Sequence, residues 1–365
     1  MVAAPRAEMV AAPQAEMVAA PRAEMEKLLN RTTFITGSKK GAGKTTFLNY
    51  ALAGLSGRTK IAFLTCGLDG EAEDSAFSTP KPRVFAPEGS FFVTASSLLK
   101  ASGASCEILD VFSAATPLGP LVLARAERGG AVEICGPQTN ADISEILETL
   151  KKRGAETILV DGAASRLTQT ASGENSGFVY VLKADSAGIE SAVDSAKLII
   201  ELSRVPKAPP CHCEKRSDEA IYHLYKGMRL LHPTQQGSQQ GLLHPTQQGS
   251  QQGLLRPHDG LAMTTKTTQQ GFSHLVPGAL TESRLDSLPE KGAIVIEDFT
   301  KVFLPLRIWR RLAGERKIFF LKKFELFFIC VNLSGVSRAE FEKKLGCPAS
   351  ASKIMFNPYM KESAA

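Results

Sequence analysis

The stretch Thr36-Gly37-Ser38-Lys39-Lys40-Gly41-Ala42-Gly43-Lys44-Thr45-Thr46 carries the residue types that phosphate chemistry needs. Glycines let the backbone turn successive N–H groups inward, where they cradle phosphate oxygens. The positive end of a helix beginning near Lys44 would add favourable charge. Lys44 would reach the outer phosphates, and the Thr45 hydroxyl would hold Mg²⁺. The candidate nucleotide-binding set is therefore Gly37, Ser38, Lys39, Lys40, Gly41, Ala42, Gly43, Lys44, Thr45 and Thr46, with ATP and Mg²⁺ as the expected cofactors. The spacing departs from G-x-x-x-x-G-K-[ST], because Ser38 stands where the first glycine belongs and Gly37 lies one residue earlier. Two readings stand open. The loop is one residue longer at its start, or it is a variant loop with an extra lysine, for which Lys39 has the right offset. In the second case Lys39 would cross to a partner subunit's nucleotide, implying an ATP-dependent homodimer. The plainer alternative for Lys39 and Lys40 is a pair of exposed lysines.

Phosphoryl chemistry also needs an acid for the metal. Asp161 ends the apolar run Ile158-Leu159-Val160, as a Walker-B carboxylate does, and would share Mg²⁺ with Thr45. The competing reading is an Asp-Gly turn after a strand. Asp69 and Glu71 follow the run Lys60–Cys66, on the side of an α/β sheet where ligands gather, and would bind metal or position a water. A solvated acidic loop through Asp74 explains them equally well. The catalytic candidates are thus Lys44, Asp161 and Asp69, and the metal candidates Thr45 and Asp161. Asp185, after another strand, suits a base or substrate contact or, more simply, a polar turn before a helix. Ser165-Arg166 suits a substrate anion or a plain surface. Cys211-His212-Cys213 has metal-like residue types, but its one-residue gap is too tight for the usual zinc spacing and no second pair completes it.

These residues need strands and helices to carry them. Thr33-Phe34-Ile35 precedes the glycine loop and Phe47–Leu55 follows it, a strand–turn–helix order. Apolar runs predict strands at Lys60–Cys66, Arg83–Ala86, Ser90–Thr94, Cys106–Phe112, Leu121–Ala126, Ala131–Cys135, Glu156–Gly162 and Phe178–Leu182. Helices are expected at Ala95–Ala101, at Ala141–Arg153 with Asn140 as its cap, and at Ile189–Arg204. The alternation predicts a P-loop NTPase-like α/β fold, a mainly parallel sheet flanked by helices. The hairpin-like portion from Arg83 to Cys135, with Pro87-Glu88-Gly89 as a turn, would form an antiparallel β extension. Residues 276–365 add a C-terminal α/β portion, either a continuation of the domain or a small lobe. Its elements are a helix Thr281–Leu288, strands at Ala293–Asp298, Ile318–Leu321, Leu326–Leu333 and Lys353–Phe356, and helices at Arg307–Leu312 and Glu340–Leu345.

Two stretches break this pattern. Residues 1–24 are three copies of an octapeptide that differ only at Gln14, and proline in each copy makes a disordered extension the expectation. Residues 207–275 contain two identical copies of Leu-Leu-His-Pro-Thr-Gln-Gln-Gly-Ser-Gln-Gln-Gly, Leu230–Gly241 and Leu242–Gly253, and are expected to be a disordered, low-complexity insertion. The remaining nucleotide-binding domain is 25–206. All six histidines, His212, His223, His232, His244, His258 and His274, fall within 207–275. If that segment is foreign, histidine-based catalysis and histidine metal sites drop out of the mechanism.

Composition narrows the class further. With 43% apolar and 22% charged residues the chain of 365 fits a globular protein. A net charge of +6, spread without a run, gives no indication of nucleic acid. The hydrophobic stretch Ile318–Leu333 is interrupted by Lys322, Lys323 and Glu325 and cannot span a bilayer. The N-terminus has no apolar h-region, and the seven cysteines read as reduced thiols in a cytoplasmic protein.

Several segments carry a resemblance: Thr65–Gly70, Thr79-Pro80-Lys81-Pro82, Ala115-Thr116-Pro117-Leu118-Gly119, Cys135-Gly136-Pro137-Gln138-Thr139-Asn140 and Ile158–Arg166. With them the chain resembles the P-loop proteins encoded beside lysine 5,6-aminomutase in amino-acid-fermenting bacteria, a reactivase-type family for that adenosylcobalamin enzyme. The resemblance covers residues 30–206 and, more weakly, 276–356, where Gly278-Ala279-Leu280-Thr281 and Glu297-Asp298-Phe299-Thr300-Lys301 also fit. It implies an ATP-binding protein acting with a second ATPase and the aminomutase. The leading expectation is a slow Mg²⁺-dependent ATP hydrolase acting on a partner protein. The alternatives are a P-loop kinase for a small metabolite, with Asp69 and Arg166 as its candidate residues, and a nucleotide-sensing module without turnover.

Overall fold

Apolar and β-branched residues supply the strands, buried along the parallel ones and largely exposed in β5: β1 (Thr32–Gly37), β2 (Ile61–Cys66), β3 (Val84–Ala86), β4 (Phe91–Ala95), β5 (Ser105–Thr116), β6 (Gly119–Arg128), β7 (Gly130–Val132), β8 (Thr157–Gly162) and β9 (Ser176–Asp185). The C-terminal part adds β10 (Ser273–Val276), β11 (Leu280–Thr281), β12 (Ala293–Ile296), β13 (Val302–Phe303), β14 (Ile318–Phe320), β15 (Glu325–Ser334) and β16 (Ile354–Phe356). The helices are α1 (Arg22–Glu26), α2 (Lys44–Leu55), α3 (Ser96–Leu99), α4 (Asn140–Lys152), α5 (Ile189–Arg204), α6 (Glu282–Leu285), α7 (Leu306–Glu315), α8 (Arg338–Leu345) and α9 (Pro348–Ala351). The computed structural model describes residues 22–39, 41–66, 83–162, 175–209, 273–276, 278–288, 291–346 and 348–357. Lys40, Asp69, Glu71, Ser165, Arg166, the Cys211-His212-Cys213 group and both twelve-residue repeats lie outside the described residues, as do the octapeptides up to residue 21.

Nine strands make one sheet in the order β16-β15-β9-β1-β8-β2-β4-β6-β5. Every neighbouring pair from β16 to β4 is parallel, and the pairs β4–β6 and β6–β5 are antiparallel. A parallel sheet is covered on both faces, so its strands bury successive residues rather than alternate ones. In β1, Phe34 packs with Leu64, Val160 and Leu182 on one face, against α4 and α5. Its neighbour Ile35 packs with Phe63, Leu159 and Val181 on the other face, against α2. The helix periodicity delivers the matching apolar stripes. In α4 the buried positions are Ile143, Ile146, Leu147 and Leu150. Truncating a fully buried one, Leu150→Ala, is expected to cost about 2–5 kcal/mol.

The extension differs from a simple hairpin series. β3 and β4 flank the turn at Pro87–Gly89 but do not pair; β3 pairs antiparallel with β7, while β4 enters the main sheet beside β2. The reason lies in α2. Asn49 accepts the Phe85 N–H (2.9 Å) and donates to the Arg83 carbonyl (3.0 Å), so β3 is held against the helix. The cap of α4 also shifts by one residue. Thr139, not Asn140, is the N-cap, and its hydroxyl accepts the Asp142 N–H and donates to the Asp142 carboxylate.

β15 and β16 extend the main sheet beyond β9, so this part of the C-terminal region continues the domain. β10, β12 and β14 form a separate parallel sheet, with Lys207 bridged to Phe320 as the chain leaves α5. Phe299 stacks on Phe178 of β9 at 4.3 Å between ring centroids, joining the two regions in one apolar cluster. β10 pairs with β12 from Ser273, opposite Ala293, and His274 lies within β10, so the described strands contain a histidine, contrary to the expectation that all six lie in an insertion. Its Nε2 stands 3.1 Å from the Lys291 carbonyl, in a structural position. Among the described residues no helix is long and apolar enough to cross a membrane.

Candidate functional site

The strand–turn–helix at β1 and α2 places the glycine loop at the carboxyl end of β1, an interior strand of the sheet. Ser38 anchors its start, donating its N–H to the Val181 carbonyl of β9 (3.1 Å). The turn then closes with Ala42 N–H on the Lys39 carbonyl (3.2 Å). Gly41 and Gly43 both take left-handed conformations, φ +73° and +96°, which residues with a Cβ rarely adopt. Gly37 serves a different need. A Cβ there would stand 3.1 Å from the Val181 carbonyl oxygen and 3.2 Å from Lys44 Cγ, so the lysine stem lies across the end of β1. The two glycines that set the backbone are therefore 41 and 43, while the offset of Gly37 from the usual pattern reflects close packing.

Gly43 is the N-cap of α2 and supplies no side-chain hydrogen bond to the first turn. By contrast, Thr139 and Ser337 cap α4 and α8 through their hydroxyls. The first-turn N–H groups of α2, at Lys44, Thr45 and Thr46, thus lack a side-chain cap at the loop. Lys44 and Thr45 are the first two residues of this helix and are both partly exposed.

Asp161 stands near the end of β8, the strand directly beside β1, and is paired in register with Ile35. It is 3% exposed. Strand alternation puts it on the same face as Leu159, the face covered by α2. Thr65 of β2 pairs with it from the other side. The topology therefore brings Lys44, Thr45 and Asp161 to one face at one end of the sheet. No metal-type cluster of three His, Cys, Asp or Glu side chains occurs among the described residues.

Lys39 projects from the loop with an exposed side chain, its Nζ 4.0 Å from Asp185 Oδ2. Asp185 itself serves the turn before α5, its Oδ1 accepting the Gly188 N–H at 2.8 Å. Cys66 ends β2 and is partly buried, whereas Cys135 lies after β7, outside the strand. Cys135 is buried and burial pushes its thiol up from the ordinary value.

Two functional candidates escaped the sequence reading. Asn332 of β15 donates its Nδ2 to the Ala42 carbonyl, and its Oδ1 accepts from Asn357 Nδ2 at 2.6 Å. Both asparagines are buried, and a Cβ on Gly43 would collide with the Asn332 amide. The available signal was a polar residue inside the apolar run Phe327–Leu333. A buried amide in such a run must find partners, and here one of them is the loop. Comparison with protein families, curated proteins and solved structures finds no match to this chain.

Proposed function

We propose that the chain is an ATP-binding protein of P-loop NTPase type that takes ATP as its Mg²⁺ complex, hydrolyses it slowly and uses the nucleotide state to act on a partner protein. The observation that carries this reading is the start of α2. A loop with two left-handed glycines leads into a helix whose first-turn donors have no side-chain cap, with Asp161 on the same face of the adjoining strand.

The residues fit the ligand. The left-handed conformations of Gly41 and Gly43 are those with which a loop can turn N–H groups toward phosphate oxygens, and the helix end favours negative charge. The donor set of a hydroxyl, Thr45, and a carboxylate, Asp161, is the hard-oxygen set that suits Mg²⁺. That ion would neutralise charge on the phosphates. Lys44 is the residue that balances charge building on the outer phosphate, and Asp161 orients the metal site. This is catalysis by positioning and electrostatics, without a covalent intermediate on the protein. A partner of aminomutase type, together with a second ATPase, rests on the resemblance alone. A cytoplasmic setting suits the reduced thiols.

The test is phosphate release from ATP with and without Mg²⁺, in wild type and Asp161→Asn. Slow Mg²⁺-dependent release in wild type, reduced about 100-fold or more in the variant, is expected. Turnover independent of both Mg²⁺ and Asp161 would overturn the assignment.

A further inference from the structure

We infer that Asn357, immediately after β16, is a positioning residue for the glycine loop, acting through Asn332. Asn332 sits two strands away from the loop's own strand, β1, with β9 between them. Its amide spans from the Ala42 carbonyl on one side to Asn357 on the other. An amide has a donating end and an accepting end, and a carbonyl can receive only the former. Asn357 Nδ2 donates to Asn332 Oδ1, which fixes which end of Asn332 faces the loop. With that donor gone, only the Ala42 carbonyl orients the amide, and a buried Oδ1 loses its Asn357 partner, so Asn332 is held less firmly against the loop. Asn332 is 4% and Asn357 5% exposed, so water is poorly placed to substitute.

Asn357 is itself well fixed. Its N–H donates to the Val331 carbonyl at 3.0 Å, one residue before Asn332. The preceding Phe356 meets Phe341 of α8 edge-on at 5.9 Å, and the Arg338 guanidinium lies over its ring at 4.8 Å. Among the described residues β16 is an edge strand that pairs only with β15. The C-terminal strand thus sets the order of the loop, and whatever displaces β16 loosens the Ala42–Gly43 backbone. For nucleotide affinity the inference rests on the proposed ATP site; for loop order it does not.

The experiment uses the full chain and the variants Asn357→Ala, Asn357→Asp, Asn332→Ala and the double alanine. Amide hydrogen exchange is followed in the peptide spanning residues 38–46, with α4 as the internal reference, and Mg²⁺–ATP affinity is measured by calorimetry. Loss of one buried hydrogen bond predicts about tenfold faster loop exchange and about tenfold weaker binding in each single variant. Asn357→Asp keeps the shape and, when ionised, offers no donor and sets an oxygen against Asn332 Oδ1, so at pH 8 its loop exchange should be at least as fast as in the alanine variant. The double variant should be no worse than Asn332→Ala alone, because both act along one path. A purely structural role for Asn357 would speed exchange in β16 and lower the urea midpoint, leaving the loop and the affinity as in wild type. That result overturns the inference, as does full additivity in the double variant. If wild type binds no ATP, the proposed function falls and loop exchange alone decides the inference.

Discussion

Asn332 donates its side-chain amide to the carbonyl of Ala42, tying a strand from the C-terminal part of the chain to a loop near its beginning. The contact spans 290 positions in sequence. It makes the conformation of Gly43 a property of the whole sheet rather than of a local turn, since the space a Cβ would need there is filled by that amide.

The two left-handed glycines should therefore respond differently to alanine. At Gly41 no described atom lies within 4 Å of a Cβ, so Gly41→Ala meets only backbone strain, about 1–2 kcal/mol. Gly43→Ala meets the same strain plus the collision with Asn332, which Asn357 prevents from turning away. It should cost about 1–3 kcal/mol more. Urea midpoints of the two variants compare them directly, and equal costs would contradict the packing described here.

Much of the sheet was legible in the sequence because a parallel strand buried on both faces is an unbroken apolar run. Ile158-Leu159-Val160 and Ile61–Leu64 are read this way, and α5 begins and ends at Ile189 and Arg204 as its periodicity predicts. The placement of Lys44 and Thr45 at the head of a helix and of Asp161 near a strand end was legible because a strand–turn–helix has fixed offsets. The partners of β3 were not. Pro87-Glu88-Gly89 favours a local hairpin, and the competing hold from Asn49 of α2 comes from a helix far earlier in the chain. Asn332 was not legible as a loop contact because strand order is a long-range fact. Only the pairing of β15 with β9 brings it to the loop.

Phe299 offers a test of how the small C-terminal sheet is joined to the main one. Its ring stacks on Phe178 and meets Phe324 edge-on at 6.1 Å, in a buried position. Phe299→Ala should destabilise the chain by about 3–5 kcal/mol in urea unfolding. Phe299→Leu keeps most of the volume and should cost clearly less. A near-zero effect of the alanine variant would mean that the two sheets are not one cooperative unit.

Asp298 gives the fold a pH dependence of known sign. The residue is fully buried; its Oδ1 accepts from the Thr300 N–H (2.8 Å) and hydroxyl (2.6 Å), while Oδ2 has no hydrogen-bond partner among the described residues. Burial raises its carboxyl above the ordinary value, more than the Thr300 hydrogen bonds lower it, with Glu297 raising it further and Lys301 opposing. A folded-state value above the unfolded one means that the group's stabilising contribution is fully present below about pH 4 and is lost as pH rises through the folded value. Measured from pH 4 to 7, wild type should therefore lose stability relative to Asp298→Asn. The opposite slope would show a carboxylate stabilised in its charged form.

The central claim, that the loop at the head of α2 binds a nucleotide through Lys44, is tested most directly by calorimetric titration of wild type and Lys44→Ala with Mg²⁺–ATP. Lys44 is partly exposed at the first position of the helix, so the variant should keep the wild-type urea midpoint. The account predicts saturable binding in wild type and at least about 100-fold weaker binding in the variant, the loss expected for removing a charged contact to phosphate. Equal binding by the two proteins, or no binding by wild type at millimolar nucleotide, would contradict it.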